Sequence, residues 1–274
     1  MTKIKPPTTI YKYRDWNDGK YGRDILQKFE LYFASPSQFN DPFDSKTTYN
    51  FGSMNDSERR LFIDKLLDSG KKSFDRMEPK TPYEFNVAMI EKMMIEYPAV
   101  FQSSALEIEH EIAEKVLGII SMSATWNNLL MWSHYAKYHT GYCVGFNENK
   151  LRNSGSFKLG GMVMYAKDNA FPKIHPMMDR KQTFFKRTFI KSAEWEYEQE
   201  YRFLNEFTPE EQSKENKRIV QIEPSFIDEV IIGMKMPESD SKDIVDICRK
   251  HDIKVYQTVP VDFKFELTRE EIST

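Results

Sequence analysis

Three short stretches of this 274-residue chain hold side chains whose types and spacing can do chemistry. The densest is Glu194-Trp195-Glu196-Tyr197-Glu198-Gln199-Glu200-Tyr201-Arg202-Phe203. Read as a strand, its even positions put Glu194, Glu196, Glu198, Glu200 and Arg202 on one face, and Trp195, Tyr197, Tyr201 and Phe203 on the other. Carboxylates in a row repel one another, so a cation or a cationic ligand would relieve them. A plain solvated acidic face is the alternative. A helix running on from Lys186 through Glu198 competes with the strand, and Glu198 and Glu200 then straddle the junction.

The second stretch runs from Ile120 to Phe146. Ser121 and Ser123 stand at i, i+2 and share one face of a strand. On the helix that follows, Trp132, Tyr135 and Ala136 form a packing face. His134 and His139 stand at i, i+5 and miss the i, i+4 spacing of two metal ligands on one helix, so they read as structural histidines and no metal is expected. The third stretch is Ser35 to Ser45. Asn40-Asp41-Pro42 is a strong turn former: Pro42 fixes its own φ and drives Asp41 toward extended geometry. A structural Asx-turn explains these residues, and a ligand pocket lined by Asn40, Asp41 or Asp44 is the alternative. Phe39 and Phe43 are expected to pin the loop to the core. Asp41, Asp44, Glu198 and Glu200 around magnesium would make a metal-dependent nuclease, although the lysine expected in such a site has no obvious place beside Glu200 in the sequence. The basic cluster Arg180, Lys181, Lys186, Arg187 and Lys191 adds one more candidate. On a helix, Arg180, Arg187 and Lys191 share a face that could meet phosphates, or be a solvated face balanced by nearby glutamates.

The elements that must position these groups follow from pattern. Strands are expected at 8–14, 31–35, 118–122, 141–146 and 161–165, then in part of 196–205, and in the tail at 219–222, 229–232, 254–259 and 263–267. Helices are expected at 22–29, 56–68, 82–97, 106–117, 128–138, 178–192 and 241–251, with a Thr81-Pro82 start signal on the third. No βαβ rhythm emerges, and no GxGxxG or Walker sequence occurs, so Rossmann and P-loop mechanisms are disfavoured. The expected fold class is α+β: one domain over 1–274, a central mixed or antiparallel sheet with flanking helices, and a helical insertion at about 52–117.

Composition bounds the class. Apolar residues make up 40%, charged residues 30% and aromatics 14%, which describes a globular chain rather than a disordered one. A net charge of −3 argues against an overall basic nucleic-acid binder. Cys143 and Cys248 form no CxxC pair and read as small buried residues. The N-terminus lacks the apolar stretch of a signal peptide and no run is long enough to span a bilayer, so no membrane association and a cytoplasmic location are expected.

Taken together, Tyr11-Lys12-Tyr13-Arg14, the Phe39–Asp44 loop, the run from Met131 through Phe146 and Trp195–Arg202 resemble, in this order, the bacterial domain-of-unknown-function family 2971. The resemblance spans roughly Tyr11 to Gly233. Ile120-Ser121-Met122-Ser123 departs from the Cys-Phe-Ser expected there. That family implies no activity of its own, and many members are regarded as accessory or defence-associated, which extends to a toxin or phage-defence role.

More distantly, Arg14, Ser121-Met122-Ser123 and Glu198-Gln199-Glu200 resemble the Arg, Ser-x-Ser and Glu-x-Glu elements of arginine-type ADP-ribosyltransferases. That resemblance implies NAD as co-substrate. Glu200 would stabilise the oxocarbenium-like ribose, and Glu198 would orient or deprotonate an acceptor. Arg14 would hold the phosphates, and Ser121 or Ser123 would brace Glu200 or the ribose. Tyr32, Phe33 or Tyr135 would stack on nicotinamide. The implied partner is a macromolecular acceptor, protein or nucleic acid, with an antitoxin or regulator beside it. A non-enzymatic ligand- or partner-binding module is the remaining alternative.

Overall fold

The continuous apolar run Tyr142-Cys143-Val144-Gly145-Phe146 lacks the alternation of a half-exposed strand, and its structural reason is burial on both faces. Tyr142, Val144 and Phe146 enter the main core with Phe203, Val230 and Cys248. Cys143 points the other way, into a second cluster with Tyr13, Trp132 and Ile231. Both cysteines are free and buried, as expected.

The computed structural model describes residues 5–19, 21–74, 83–168, 170–212, 214 and 217–272. In chain order the elements are β1 (Thr9–Arg14), α1 (Asp24–Gln27), β2 (Glu30–Tyr32), α2 (Asp56–Phe74), α3 (Tyr83–Glu96), α4 (Pro98–Val116), β3 (Leu117–Ser123), α5 (Leu129–Tyr135), β4 (Tyr142–Asn147), α6 (Glu148–Asn153), β5 (Leu159–Met162), β6 (Met164–Ala166), α7 (Arg180–Thr188), β7 (Ile190–Ser192), β8 (Glu200–Glu206), α8 (Pro209–Gln212), β9 (Ile219–Gln221), β10 (Ile227–Ile232), α9 (Glu238–Lys250), β11 (Lys254–Pro260) and β12 (Leu267–Glu271). The fold is α+β. Its sheet has eight strands in the order β12-β11-β10-β4-β1-β3-β8-β5. It is mixed: β10 and β11 run parallel, and the other neighbours run antiparallel. Helix α9 covers the main-core face through Ile244 and Cys248, and α5 covers the opposite face through Met131 and Trp132. Helices α2, α3 and α4 close a separate apolar cluster around Ile63, Leu67, Val87 and Met94.

The centre of the sheet is where it is weakest. β1 pairs with β4 over six residues, from Thr9↔Asn147 to Arg14↔Tyr142, and β3 pairs with β8 over seven, from Leu117↔Glu206 to Ser123↔Glu200. Between β1 and β3 the register holds one pair, Tyr11↔Ser123. Beyond it the strands part, and Ile119 of β3 bridges to Ala34 instead. The sheet is therefore two well-bonded halves hinged at one residue pair.

Several expected elements differ. The helix expected over 178–192 stops at Thr188, because Ile190-Lys191-Ser192 pairs in parallel with β6. Lys191 thus leaves the basic helix face: Arg187 pairs with Glu109 at 2.6 Å and Arg180 lies exposed, so the three cations do not form one phosphate-binding stripe. The residues 194–198 are a 3-10 helix rather than strand, so the glutamate stripe does not exist as a sheet face. The strand expected at 263–267 lies later, at β12. Phe263 and Phe265 sit instead in a turn closed by the Val261 amide donating to the Glu266 carbonyl at 3.0 Å. Strand 161–165 breaks at Val163 into β5 and β6, and α6 was not expected; Asn147 caps it by accepting from the Lys150 amide at 3.1 Å. The Thr81-Pro82 signal falls outside the described residues.

Gly141 lets the chain after α5 approach β1. A Cβ there would lie 2.2 Å from the Arg14 carbonyl oxygen, a backbone atom that cannot give way. Gly141→Ala should therefore cost about 1–3 kcal/mol, read as a lower urea midpoint at unchanged m-value.

Candidate functional site

A cavity of about 400 Å³ opens where the two halves of the sheet part. That volume is within the range of small-molecule sites, roughly 300–1,000 Å³. Because cross-strand partners share a face, Lys12 and Arg14 belong with Val144 and Tyr142 on the main-core side, while Glu200 belongs with Ser123 and Tyr11 on the other. Strands bonded along their whole length would keep these groups apart. The divergence brings cations from one side and carboxylates from the other to a common opening.

The two cations are unusual. Lys12 Nζ donates to the Ser121 carbonyl at 2.5 Å, and Arg14 Nε is buried without a hydrogen-bond partner among the described residues. Neither forms an ion pair among them. Burial, and then the neighbouring Arg14, hold the Lys12 ammonium well below the ordinary lysine range, and burial lowers Arg14 as well. An orphaned guanidinium and an unpaired amine in a polar cavity are a site for an anion.

Across the cavity lies a buried ion network. Arg202, fully buried, donates Nε to Glu200 Oε1 at 2.7 Å, Nη2 to Glu200 Oε2 at 2.9 Å, Nη1 to Asp44 Oδ1 at 2.9 Å and Nη1 to the Thr188 carbonyl at 2.7 Å. Lys191 donates to Glu198 at 2.6 Å and to Glu200 at 3.1 Å, with Asp44 at 3.6 Å. Tyr135 donates its hydroxyl to the second oxygen of Glu198, and Asn40 donates to that Tyr135 oxygen at 3.1 Å. Burial pushes Glu200 up, but Arg202 and then Lys191 outweigh it and hold the carboxyl at about 2. In Glu198 burial wins over Lys191, and the adjacent Glu200 adds to it, so its proton affinity is raised. Two carboxylates two residues apart thus have opposite tendencies, one held ionised and one with raised proton affinity, the kind of divergence that acid/base pairs use.

Local backbone explains how both point inward. Gln199 sits in the left-handed region at φ 45°, between the 3-10 turn and β8, which turns Glu198 onto the side that Glu200 occupies. The strain is held by three bonds: Ser123 Oγ donates to the Glu198 carbonyl at 2.7 Å, the Ala124 amide donates to the Gln199 carbonyl at 2.8 Å, and the Glu200 amide donates to Tyr165 Oη at 2.7 Å.

Of the residues singled out above, Arg14, Tyr32, Asn40, Ser121, Ser123, Tyr135, Glu198 and Glu200 all line this cavity. Asp41 does not. It accepts from the Phe43 amide at 2.9 Å as an Asx-turn and lines a separate hollow of about 390 Å³ walled by Phe43, Phe171 and Ile190. Phe33 belongs to the main core and cannot stack on a ligand. Phe43, 67% exposed, does not pin its loop, whereas Phe39 does, lying under the Arg202 guanidinium at 5.7 Å. Ser123 spends its hydroxyl on backbone. His134 lines the cavity, its Nδ1 within 3.1 Å of Tyr197 Oη, and among the described residues no His, Cys, Asp and Glu group could hold a metal ion. Sequence reasoning missed Lys12, which could have been found as the i−2 neighbour of Arg14 on one strand face; Lys191 was singled out, but on a helix face, and the structure instead sets it on a short strand against Glu198 and Glu200.

The fold and site define an α+β protein with a split central sheet and a charge-lined cleft between the halves. Residues 131–203 match the family model described as "Protein of unknown function (DUF2971)", so the motif resemblance is borne out over that stretch. No curated protein and no solved structure matches the chain. Among the described residues no helix is long and apolar enough to cross a membrane.

Arg202→Met leaves Glu200 and Asp44 without their main buried partner and should cost about 3–5 kcal/mol. Glu200, lowered from 4.5 to about 2, contributes stability that is complete above 4.5 and is lost as pH falls through 2. Glu198, shifted the other way, offsets part of this on acidification. Near-UV circular dichroism should report loss of packing in that acid window, and stability should depend less on pH there in Arg202→Met, which lacks the guanidinium that lowers Glu200.

Proposed function

We propose that the cleft binds NAD and that the protein is an ADP-ribosyltransferase-like enzyme that breaks the nicotinamide–ribose bond. The observation that carries the reading is convergence: Arg14, Ser121, Glu198 and Glu200, remote in sequence, line one cavity. Arg14 offers an unpaired cationic donor to the diphosphate, and Lys12 stands two residues before it on the same strand face. Tyr32 and Tyr135 supply aromatic faces for nicotinamide.

The two glutamates divide the work differently from what the family resemblance implies. Arg202 holds both Glu200 oxygens and lowers its proton affinity, whereas Glu198 is held by Lys191 and the neutral Tyr135 hydroxyl, so Glu200 acts as a positioning residue that fixes Lys191 and Arg202. Glu198 takes the catalytic role. The glycosidic C–N bond breaks with its electron pair leaving on nicotinamide, and the oxocarbenium-like ribose develops beside the Glu198 carboxylate. An acceptor hydroxyl or amine, or water, then bonds to the anomeric carbon, and Glu198 takes its proton. Its raised proton affinity suits that step. The acceptor in this reading is a macromolecule.

A magnesium-dependent nuclease is disfavoured by charge: Asp44, Glu198 and Glu200 are already bridged by Lys191 and Arg202, which take the positions a divalent cation would need. The purified protein incubated with NAD should release nicotinamide at a rate unchanged by EDTA. Glu198→Gln should lower that rate by about 10²–10⁴, and Arg14→Gln should mainly raise KM, by about tenfold or more for a lost charged hydrogen bond. Absence of release both with and without added protein or nucleic-acid acceptors would leave the cleft as a binding module.

A further inference from the structure

We propose that Lys12 is a nucleophilic amine that condenses with a small phosphate-bearing aldehyde, the phosphate being held by Arg14 in the central cavity. The inference goes beyond NAD cleavage and stands without it.

The geometry distinguishes this lysine from its neighbour across the cavity. Lys191 has three carboxylates within 3.6 Å and over the Trp195 ring lies 4.8 Å from its centroid, so it is fixed as an ammonium whose proton affinity is raised. Lys12 has one partner among the described residues, the Ser121 carbonyl at 2.5 Å. An amine that gives one N–H to a carbonyl keeps its lone pair directed elsewhere, and Lys12 lines the central cavity. The charged groups around it are Arg14 on its own strand, Glu198 and Glu200 across the opening with Lys191 and Asp44 behind them, and Asp24 and Glu30 in a small hollow that Lys12 and Arg14 also line; Tyr21, Tyr32, His134 and Tyr135 are the other titratable groups of the two walls. Arg14 disfavours a second cation next to it, and burial does the same, so the free amine is accessible at lower pH than on the surface. Lys12 and Arg14, at i and i+2 on β1, share a face, so a carbonyl compound anchored by its phosphate on Arg14 presents its aldehyde to the amine.

The step balances without an oxidant or reductant. The amine nitrogen bonds to the carbonyl carbon while the carbonyl π pair moves to oxygen. Proton transfer from nitrogen to that oxygen gives a carbinolamine, and loss of one water leaves an imine. Glu198, across the cavity, is a carboxyl able to carry the proton to the departing hydroxyl.

The probe is pyridoxal 5′-phosphate at pH 7, followed by borohydride reduction of the imine and peptide mass mapping. A lowered amine proton affinity raises the free-amine fraction, so one equivalent should appear on the Lys12 peptide before label accumulates on surface lysines. Lys12→Arg should abolish that equivalent, because a guanidinium forms no imine under these conditions. Arg14→Gln, or pyridoxal lacking the phosphate, should slow it several-fold. Label scattered over surface lysines with Lys12 unmodified would overturn the proposal, as would equal rates with and without the phosphate. The wild-type peptide map decides the first point even if a variant fails to fold.

Discussion

One residue pair holds the two halves of this molecule in a single sheet. Tyr11 and Ser123 are the last point at which β1 and β3 remain bonded, and every polar group of interest lies around the gap that opens next to them. Parting two central strands exposes backbone donors and acceptors that a continuous sheet would satisfy. The Ser121 carbonyl is taken by Lys12, and Ile119 and Ala34 exchange bonds across the other flank. The gap is thus stabilised on both sides by substitutes for the missing ladder, and its price is a lysine that gives up its usual carboxylate company.

The charges on the far wall solve a different problem. Burying Asp44, Glu198 and Glu200 together is untenable without counter-charge, and Lys191 and Arg202 supply two positive charges for three negative ones. The imbalance falls on Glu198, the member that Arg202 does not reach and that Tyr135 supports with a neutral hydroxyl. Burial raises its proton affinity, Lys191 alone does not outweigh that, and the left-handed Gln199 is the backbone cost of aiming it inward. The same network forms the partition between the central cavity and the hollow beside Phe43, since Asp44 and Lys191 line both.

Much of this was legible before any coordinates. The class, the central strands and the helical stretch before β3 follow from periodicity, because buried apolar patterns are local signals. The convergence of Arg14, Ser121 and Glu200 was readable only through resemblance, since no local pattern says that β1, β3 and β8 are neighbours. The errors cluster where tertiary demands override pattern. Residues 194–198 alternate like a strand yet turn as a 3-10 helix because Gln199 must reverse direction. Lys191 continues a helical run of basic residues, yet a three-residue strand pairing with β6 removes it from the helix and sends it into the ion network. Phe43 looks like a core residue and is exposed, because Asp41 and Asp44 on either side of it are the ones the fold buries.

The buried guanidinium of Arg202 meets Asp44 across 158 positions of sequence. Closing so wide a loop is entropically slow, and it comes late, after the local helices have formed. A chain emerging during synthesis holds Lys12, Arg14, Asp44 and the serines long before Arg202 exists to neutralise the acids. The chemistry of the cleft is therefore withheld from every partial chain that ends before Arg202.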